Sequence, residues 1–339
     1  MRRIASLTVL PILLVAGCSV DEPPSARPGS HRPLTVPPVP EPHGQPVPNS
    51  VRSDTVLPAV TGKFGREAKI VLPKTNPTGK FVITNVLHGQ GRKARNNDIV
   101  IVNYTARAWK RGEALPSTYG EGRKPLVFPV GQGTVIPALG HAVEGQRAGS
   151  RLLVVAPPAA AYGETGNAKL GISPTDTVVF VADIVKVIDA KSIVHGRQQV
   201  TPKGLPQVHA DRSPDRIAVP DTAPPRRLVS RALVVGGSGP TVEAGQALVF
   251  QYSGAVWATN RGKEQATLFD SSLSQGSPRT AVIGRGNLIE GLDRALVGAK
   301  VGSRILLVIP PELSYGVQPQ KGIPANSTLV FVVDILAAA

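Results

Sequence analysis

The sequence predicts an α+β protein made of two tandem copies of one domain, each an antiparallel, half-wrapped β-sheet around one short α-helix. Two observations carry this. The first is a repeat. Asn103-Tyr104-Thr105 to Trp109, then Val135-Ile136, Ala161-Tyr162-Gly163 and Val178-Val179-Phe180-Val181-Ala182-Asp183-Ile184 return as Gln251-Tyr252-Ser253 to Trp257, Leu288-Ile289, Ser314-Tyr315-Gly316 and Leu329-Val330-Phe331-Val332-Val333-Asp334-Ile335. The spacing of roughly 150 residues is that of whole domains, not of a solenoid of short units. The second observation is periodicity. Each copy alternates apolar residues with period two in several segments, and shows a helical period in one place only.

Taken in chain order, the first element stands outside the repeat. Met1-Arg2-Arg3, the apolar stretch Ile4 to Val15 and Ala16-Gly17-Cys18 read as an export signal, with an apolar part too short to span a membrane. Val15-Ala16-Gly17-Cys18 resembles a bacterial lipobox, which makes Cys18 the expected lipidation site and first mature residue. It is the chain's one cysteine, so disulfides contribute nothing to stability. Residues 19–63, proline-rich and poor in core formers, are expected to be a disordered linker. The first domain is placed at 64–188, a second linker at 189–206 and the second domain at 207–339.

Within each copy an apolar opening segment (Lys80-Phe81-Val82-Ile83; Arg227-Leu228-Val229-Ser230) runs to a glycine turn. Asp98 to Ala106 and Ala247 to Gly254 follow as strands rich in β-branched and aromatic residues. Period two puts Val100, Val102 and Tyr104 on one face, and Leu248, Phe250 and Tyr252 on one face, with both tyrosines toward the concave side. Ile136, Leu139 and Val143, and likewise Ile289, Leu292 and Leu296, fall at i, i+3 and i+7, which predicts about two turns of helix. Apolar strands at 152–156 and 305–309 end in Pro-Pro, and closing strands at 177–187 and 328–336 complete each unit.

On these residues the chain resembles the FKBP-type peptidyl-prolyl isomerases, and exported actinobacterial members in particular. The second copy is the nearer match, through Tyr252-Ser253-Gly254, Leu268-Phe269-Asp270-Ser271-Ser272, Gly284-Arg285-Gly286-Asn287-Leu288-Ile289-Glu290-Gly291, Ser314-Tyr315-Gly316 and Ile323-Pro324-Ala325-Asn326-Ser327-Thr328-Leu329-Val330-Phe331. The resemblance implies catalytic roles for Asp270, Tyr315 and Phe269, and a substrate pocket of Tyr252, Leu288, Ile289, Leu292, Ile323 and Phe331. It implies a weaker first-domain pocket of Tyr104, Leu115, Phe128, Val135, Ile136, Leu139, Tyr162 and Phe180. The chemistry needs no metal or cofactor, because a dry apolar pocket can favour a twisted Xaa-Pro amide that has lost its resonance.

Two departures from the family pattern stand out. Leu292 and Leu139 replace the usual tryptophan at the pocket floor, and Leu115-Pro116-Ser117-Thr118 replaces Phe-Asp-Ser-Ser in the first copy. Trp109 and Trp257 sit at strand ends, where scaffold or surface roles are expected. The expected activity is therefore isomerisation of proline peptides in exported proteins at the outer face of the cytoplasmic membrane, mainly through the second domain. The alternative is a non-catalytic chaperone or adaptor that holds proline-containing segments. Expected partners are unfolded or exported polypeptides, macrolide ligands, and the membrane through the lipid anchor. Nucleic acid is not expected: the formal charge is +15 and the pI about 10.3, but the basic residues are scattered and no reader motif appears.

Overall fold

The computed structural model describes residues 48–50, 56–110, 112–208 and 213–339. The signal, Cys18 and most of the expected 19–63 linker lie outside the described residues. Two six-stranded antiparallel sheets dominate the rest. In the first, the strand order is Val82–Leu87, Arg151–Ala156, Val178–Ile188, Ile99–Ala108 and Ala114–Leu115, with Leu126–Pro129 also pairing with Ile99–Ala108. The second repeats that order with Val229–Val234, Arg304–Ile309, Leu329–Ala338, Ala247–Val256 and Leu268–Ser271, and with Arg279–Val282 beside Ala247–Val256. Tyr104 lies opposite Ala182 and Tyr252 opposite Val333, so the pocket tyrosines occupy the same place in each sheet.

Period two decides which side chains reach which face. Val100, Val102 and Ala106 join the inner core of the first domain, whereas Ile99 and Ile101 point the other way. Leu248, Phe250 and Tyr252 enter the inner core of the second. The expected helices are Pro137–Val143 and Glu290–Leu296. Proline at the start of the first helix costs no hydrogen bond there, and Glu290 and Asp293 in the first turn of the second complement the helix dipole. The helix Glu290–Leu296 lies so close to the sheet that a Cβ on Gly291 would meet Ile309 Cγ2 at 2.4 Å. In the first domain the corresponding positions are Ala138 and Ala156, both buried in the inner core cluster.

The outer face of each sheet is covered by residues that precede the repeat. In the first domain a hairpin of Ala59–Thr61 and Lys69–Val71 brings Ala68 and Ile70 onto Leu153, Val155, Val179, Val181 and Trp109. The strand Ala59–Thr61 lies before the boundary drawn at 63/64, and its hairpin with Lys69–Val71 spans that boundary. In the second, Gln207–Val208 pairs with Ile217–Ala218, and Val208, Ile217 and Val219 cover Leu306, Val308, Val330, Val332 and Trp257. Both tryptophans are therefore buried scaffold. A buried indole N–H needs a partner, and here Trp109 Nε1 donates to the Thr75 carbonyl at 2.9 Å and Trp257 Nε1 to the Thr222 carbonyl at 3.0 Å.

Beneath each cover sits a buried ion pair. Arg151 donates from Nε and Nη2 to the two carboxylate oxygens of Asp183 at 2.6 and 2.7 Å, and Arg304 does the same to Asp334 at 2.6 and 2.7 Å. The covering chain completes both networks. Arg151 also donates to the Gly62 and Arg66 carbonyls, and Asp183 accepts from Gly65 N–H and the Tyr119 hydroxyl. Asp334 accepts from Val194 N–H at 2.8 Å, and Arg304 Nη2 donates to the Val194 carbonyl. Residues 189–206, expected as a linker, are thus anchored at Val194, which is buried. The two domains also share an apolar cluster in which Ile99, Ile101, Val127 and Ile188 meet Val249 and Ala337. Across it Gln251 Nε2 donates to the Ala190 carbonyl and the Ser277 hydroxyl to the Asn97 carbonyl. Among the described residues no helix is long and apolar enough to cross a membrane.

Candidate functional site

The concave face of the second sheet and the helix Glu290–Leu296 enclose a pocket of about 440 Å³, within the range of small-ligand sites. All nine residues expected in the second site line it: Tyr252, Phe269, Asp270, Leu288, Ile289, Leu292, Tyr315, Ile323 and Phe331. Phe269 and Phe331 meet edge-to-face at 5.7 Å, and Tyr252 lies 6.1 Å from Phe331. These rings crowd the strand behind them. A Cβ on Gly254 would come within 2.6 Å of Phe269 and 2.9 Å of Phe331, so the aromatic wall requires glycine at that position. The first domain has Ala106 two residues after its tyrosine, as Gly254 follows Tyr252, and carries the slimmer Leu115 in place of Phe269.

The two residues that follow Asp270 are both anchored. Ser271 Oγ donates to Asp215 at 2.8 Å, and Ser272 Oγ accepts the Tyr252 N–H at 2.8 Å. The carboxylate itself accepts from the Tyr252 hydroxyl and from the side-chain amide of Gln275. At the pocket floor, Ile289 caps the helix Glu290–Leu296, with its carbonyl accepting from Leu292 and Asp293 N–H. The buried Asp293 carboxylate then accepts from Gly284 and Gly286 N–H at 3.0 and 2.7 Å. That bond ties the loop before Leu288 to the helix.

Burial raises the ionisation of Tyr252 above its ordinary 10.0, and the bond to Asp270 adds to the rise. Tyr315 is shifted upward too, first by burial and then by the Asp270 charge. Both phenols therefore keep their protons through neutral pH and remain donors. The pocket is an apolar chamber with neutral hydroxyls and one engaged carboxylate.

The expected first-domain residues also come together. Val135, Ile136, Leu139, Phe128 and Phe180 are buried in one cluster, with Tyr104, Leu115 and Tyr162 packed against it. Tyr104 and Phe180 meet edge-to-face at 5.9 Å. Burial, followed by the nearby Tyr104, raises Tyr162 to about 12. Thr118 repeats the role of Ser272, its Oγ1 accepting the Tyr104 N–H at 2.8 Å. The carboxylate is missing, because exposed Pro116 stands in the position of Asp270.

Five further residues line the second pocket: Phe250, Arg279, Asn287, Gln320 and Lys321. Arg279 was accessible to pattern reading, since it alternates with the core residues Ala281, on the strand Arg279–Val282, and Ile283, just past its end. Gln320 and Lys321 lie in a loop without periodicity, and nothing local marks them.

Comparison with known proteins agrees with this architecture. The family model for FKBP-type peptidyl-prolyl cis-trans isomerases matches residues 90–185 and 239–336, one match for each sheet domain. FKBP10 of Bos taurus is 26% identical over 283 residues, covering 84% of this chain and 41% of that protein. FKBP9 of Rattus norvegicus is 27% identical over 207 residues, or 61% of this chain and 29% of the relative. FK506-binding protein 1 of Aspergillus oryzae is 35% identical over 111 residues, 32% of this chain and 96% of its own. The chain thus spans less than half the length of the larger relatives. Among solved structures, the three FKBP domains of wheat FKBP73 align over 77% of this chain and 96% of theirs, with 21% identity and a TM-score of 0.33.

Proposed function

Because the chain belongs to the FKBP-type peptidyl-prolyl cis-trans isomerase family, we propose that it is itself a peptidyl-prolyl isomerase acting mainly through its second domain. The observation that carries the proposal is the aromatic pocket of Tyr252, Phe269 and Phe331, with Asp270 and Tyr315 at its polar side. An Xaa-Pro amide rotates over a barrier of ~18–20 kcal/mol, set by resonance in the C–N bond. The twisted state has lost that resonance and its charge separation, so an apolar chamber binds it better than the planar ground state, and differential binding of this kind is catalysis. Tyr315 donates its hydroxyl to a substrate carbonyl and Ile289 N–H donates a second bond, while Asp270 orients Tyr252 and the flanking peptide.

No single polar group is indispensable in this mechanism. Tyr315→Phe and Asp270→Val should each slow turnover by roughly tenfold, in line with about 1 kcal/mol or a little more for one hydrogen bond. Exchange spectroscopy on a proline tetrapeptide measures this. A loss of ~10⁴-fold from Asp270→Val in a folded protein would mark an acid, base or nucleophile and overturn the mechanism. In the first domain, the combination of Leu115 with exposed Pro116 supports weak binding or a positioning role.

The proposed setting is the outer face of the cytoplasmic membrane, with the protein lipidated at Cys18 and acting on exported, proline-containing polypeptides. The lipobox-like Val15-Ala16-Gly17-Cys18 and the proline-rich stretch after it support this reading. Cys18→Ser should abolish metabolic labelling by a fatty acid, and persistent label in that variant would refute the anchor.

A further inference from the structure

The second pocket contains a cation that the isomerisation mechanism does not use. Arg279 is half-buried on the strand Arg279–Val282, directly opposite Phe250 in the pairing with Ala247–Val256. The first domain places Leu126 at the corresponding position, opposite Val102. An apolar residue therefore satisfies this fold position, and burying part of a guanidinium instead carries a desolvation cost. Arg279 makes no ion pair among the described residues, and its guanidinium reaches the Tyr252 phenol, where it offsets part of that group's upward shift. Its Nε is buried with no hydrogen-bond partner. Asp270, the pocket's one carboxylate, already accepts from Tyr252 and Gln275. Exposed Lys321, in the loop before Ile323, adds a second positive charge, so the lining carries two cations against one engaged anion.

We propose that Arg279, with Lys321 at the rim, makes the second pocket select proline segments that carry an aspartate or glutamate next to the proline. A carboxylate there would give the buried Nε the acceptor it lacks, through a charge-assisted bond about twice as strong as a neutral one. It would also leave the pocket's excess positive charge balanced. Arg279 is thus a specificity-determining residue, and the selection operates within the isomerase reading of the same site.

The test measures affinity and isomerisation separately, on the full chain. Labelled proline peptides carrying Glu or Gln immediately before the proline, and a second pair carrying them immediately after, are titrated by fluorescence anisotropy. Exchange spectroscopy follows their isomerisation. The expected result is a Glu-to-Gln affinity ratio that favours Glu in at least one pair and falls about tenfold in Arg279→Gln, as for loss of a charged hydrogen bond. Lys321→Gln should give a smaller fall that added salt removes, since a rim charge is screened. Should Arg279→Gln fold poorly, Arg279→Leu serves in its place, because the first domain accepts leucine at this position. An unchanged ratio in both pairs, or equal losses for Glu and Gln peptides, would overturn the proposal and show that Arg279 only shapes the pocket. An Arg279-dependent ratio with no accelerated isomerisation would leave the selectivity standing and remove the isomerase reading. Acceleration with an Arg279-independent ratio would do the opposite.

Discussion

Arg304→Met should destabilise the second domain by about 3–5 kcal/mol, the cost of leaving one member of a buried pair unpaired. Arg304 and Asp334 are both fully buried, at 0% exposure. Without the guanidinium, Asp334 would keep the Val194 N–H as its bond from the covering chain, and a buried carboxylate with one donor is far from satisfied. The loss should appear in urea denaturation as a lower midpoint for the transition that exposes Trp257. Residues 189–206 should also become susceptible to limited proteolysis, because Val194 is anchored through the same pair. Arg304→Met combined with Asp334→Leu should recover most of the lost stability, since an apolar replacement removes the stranded charge as well. A single-variant loss below about 1 kcal/mol would mean the pair is not what pins the cover to the sheet.

Phe331→Ala should reduce isomerisation about a hundredfold, and should lower stability by about 3–5 kcal/mol through the cavity it leaves. Its ring packs on both Phe269 and Tyr252, so truncation opens the chamber to water and frees both neighbours at once. The control is Phe180→Ala, the same position in the first domain, where the ring packs on Tyr104. The stability cost should be similar there, while the loss of turnover should be at least tenfold smaller, because the first site lacks the carboxylate and the phenylalanine wall. Peptide turnover and urea midpoints for the two variants separate these effects. Equal losses of turnover would show that Leu115 and Pro116 do not impair the first site, and would overturn the assignment of activity to the second.

Much of this molecule was legible from local pattern. The strands that build each concave face follow period two, and the helices start and stop where the i, i+3, i+7 apolar residues do, so inward-facing residues such as Tyr252 and Leu292 could be named from spacing alone. The resemblance added Phe269, Asp270, Tyr315 and Phe331, and the structure brings them to the same pocket. Arg279 obeyed the same alternation, but its type disguised it: a charged residue in a strand reads as solvent-facing until its partner strand is known.

What covers the other face of each sheet was decided by tertiary structure. Val178 to Ala182 are all buried, and an unbroken apolar run of this kind announces a strand covered on both sides without saying by what. The answer lies in segments with weak periodicity of their own, Ala59–Thr61 with Lys69–Val71 and Gln207–Val208 with Ile217–Ala218. Their contacts depend on chain closure over long separations, as between Gly65 and Asp183 or Val194 and Asp334. Period and composition are local properties and determine which side of a strand must be buried. The partner that buries it, the acceptor that an indole N–H finds and the carboxylate that a buried arginine meets are set by which distant segments the fold brings together.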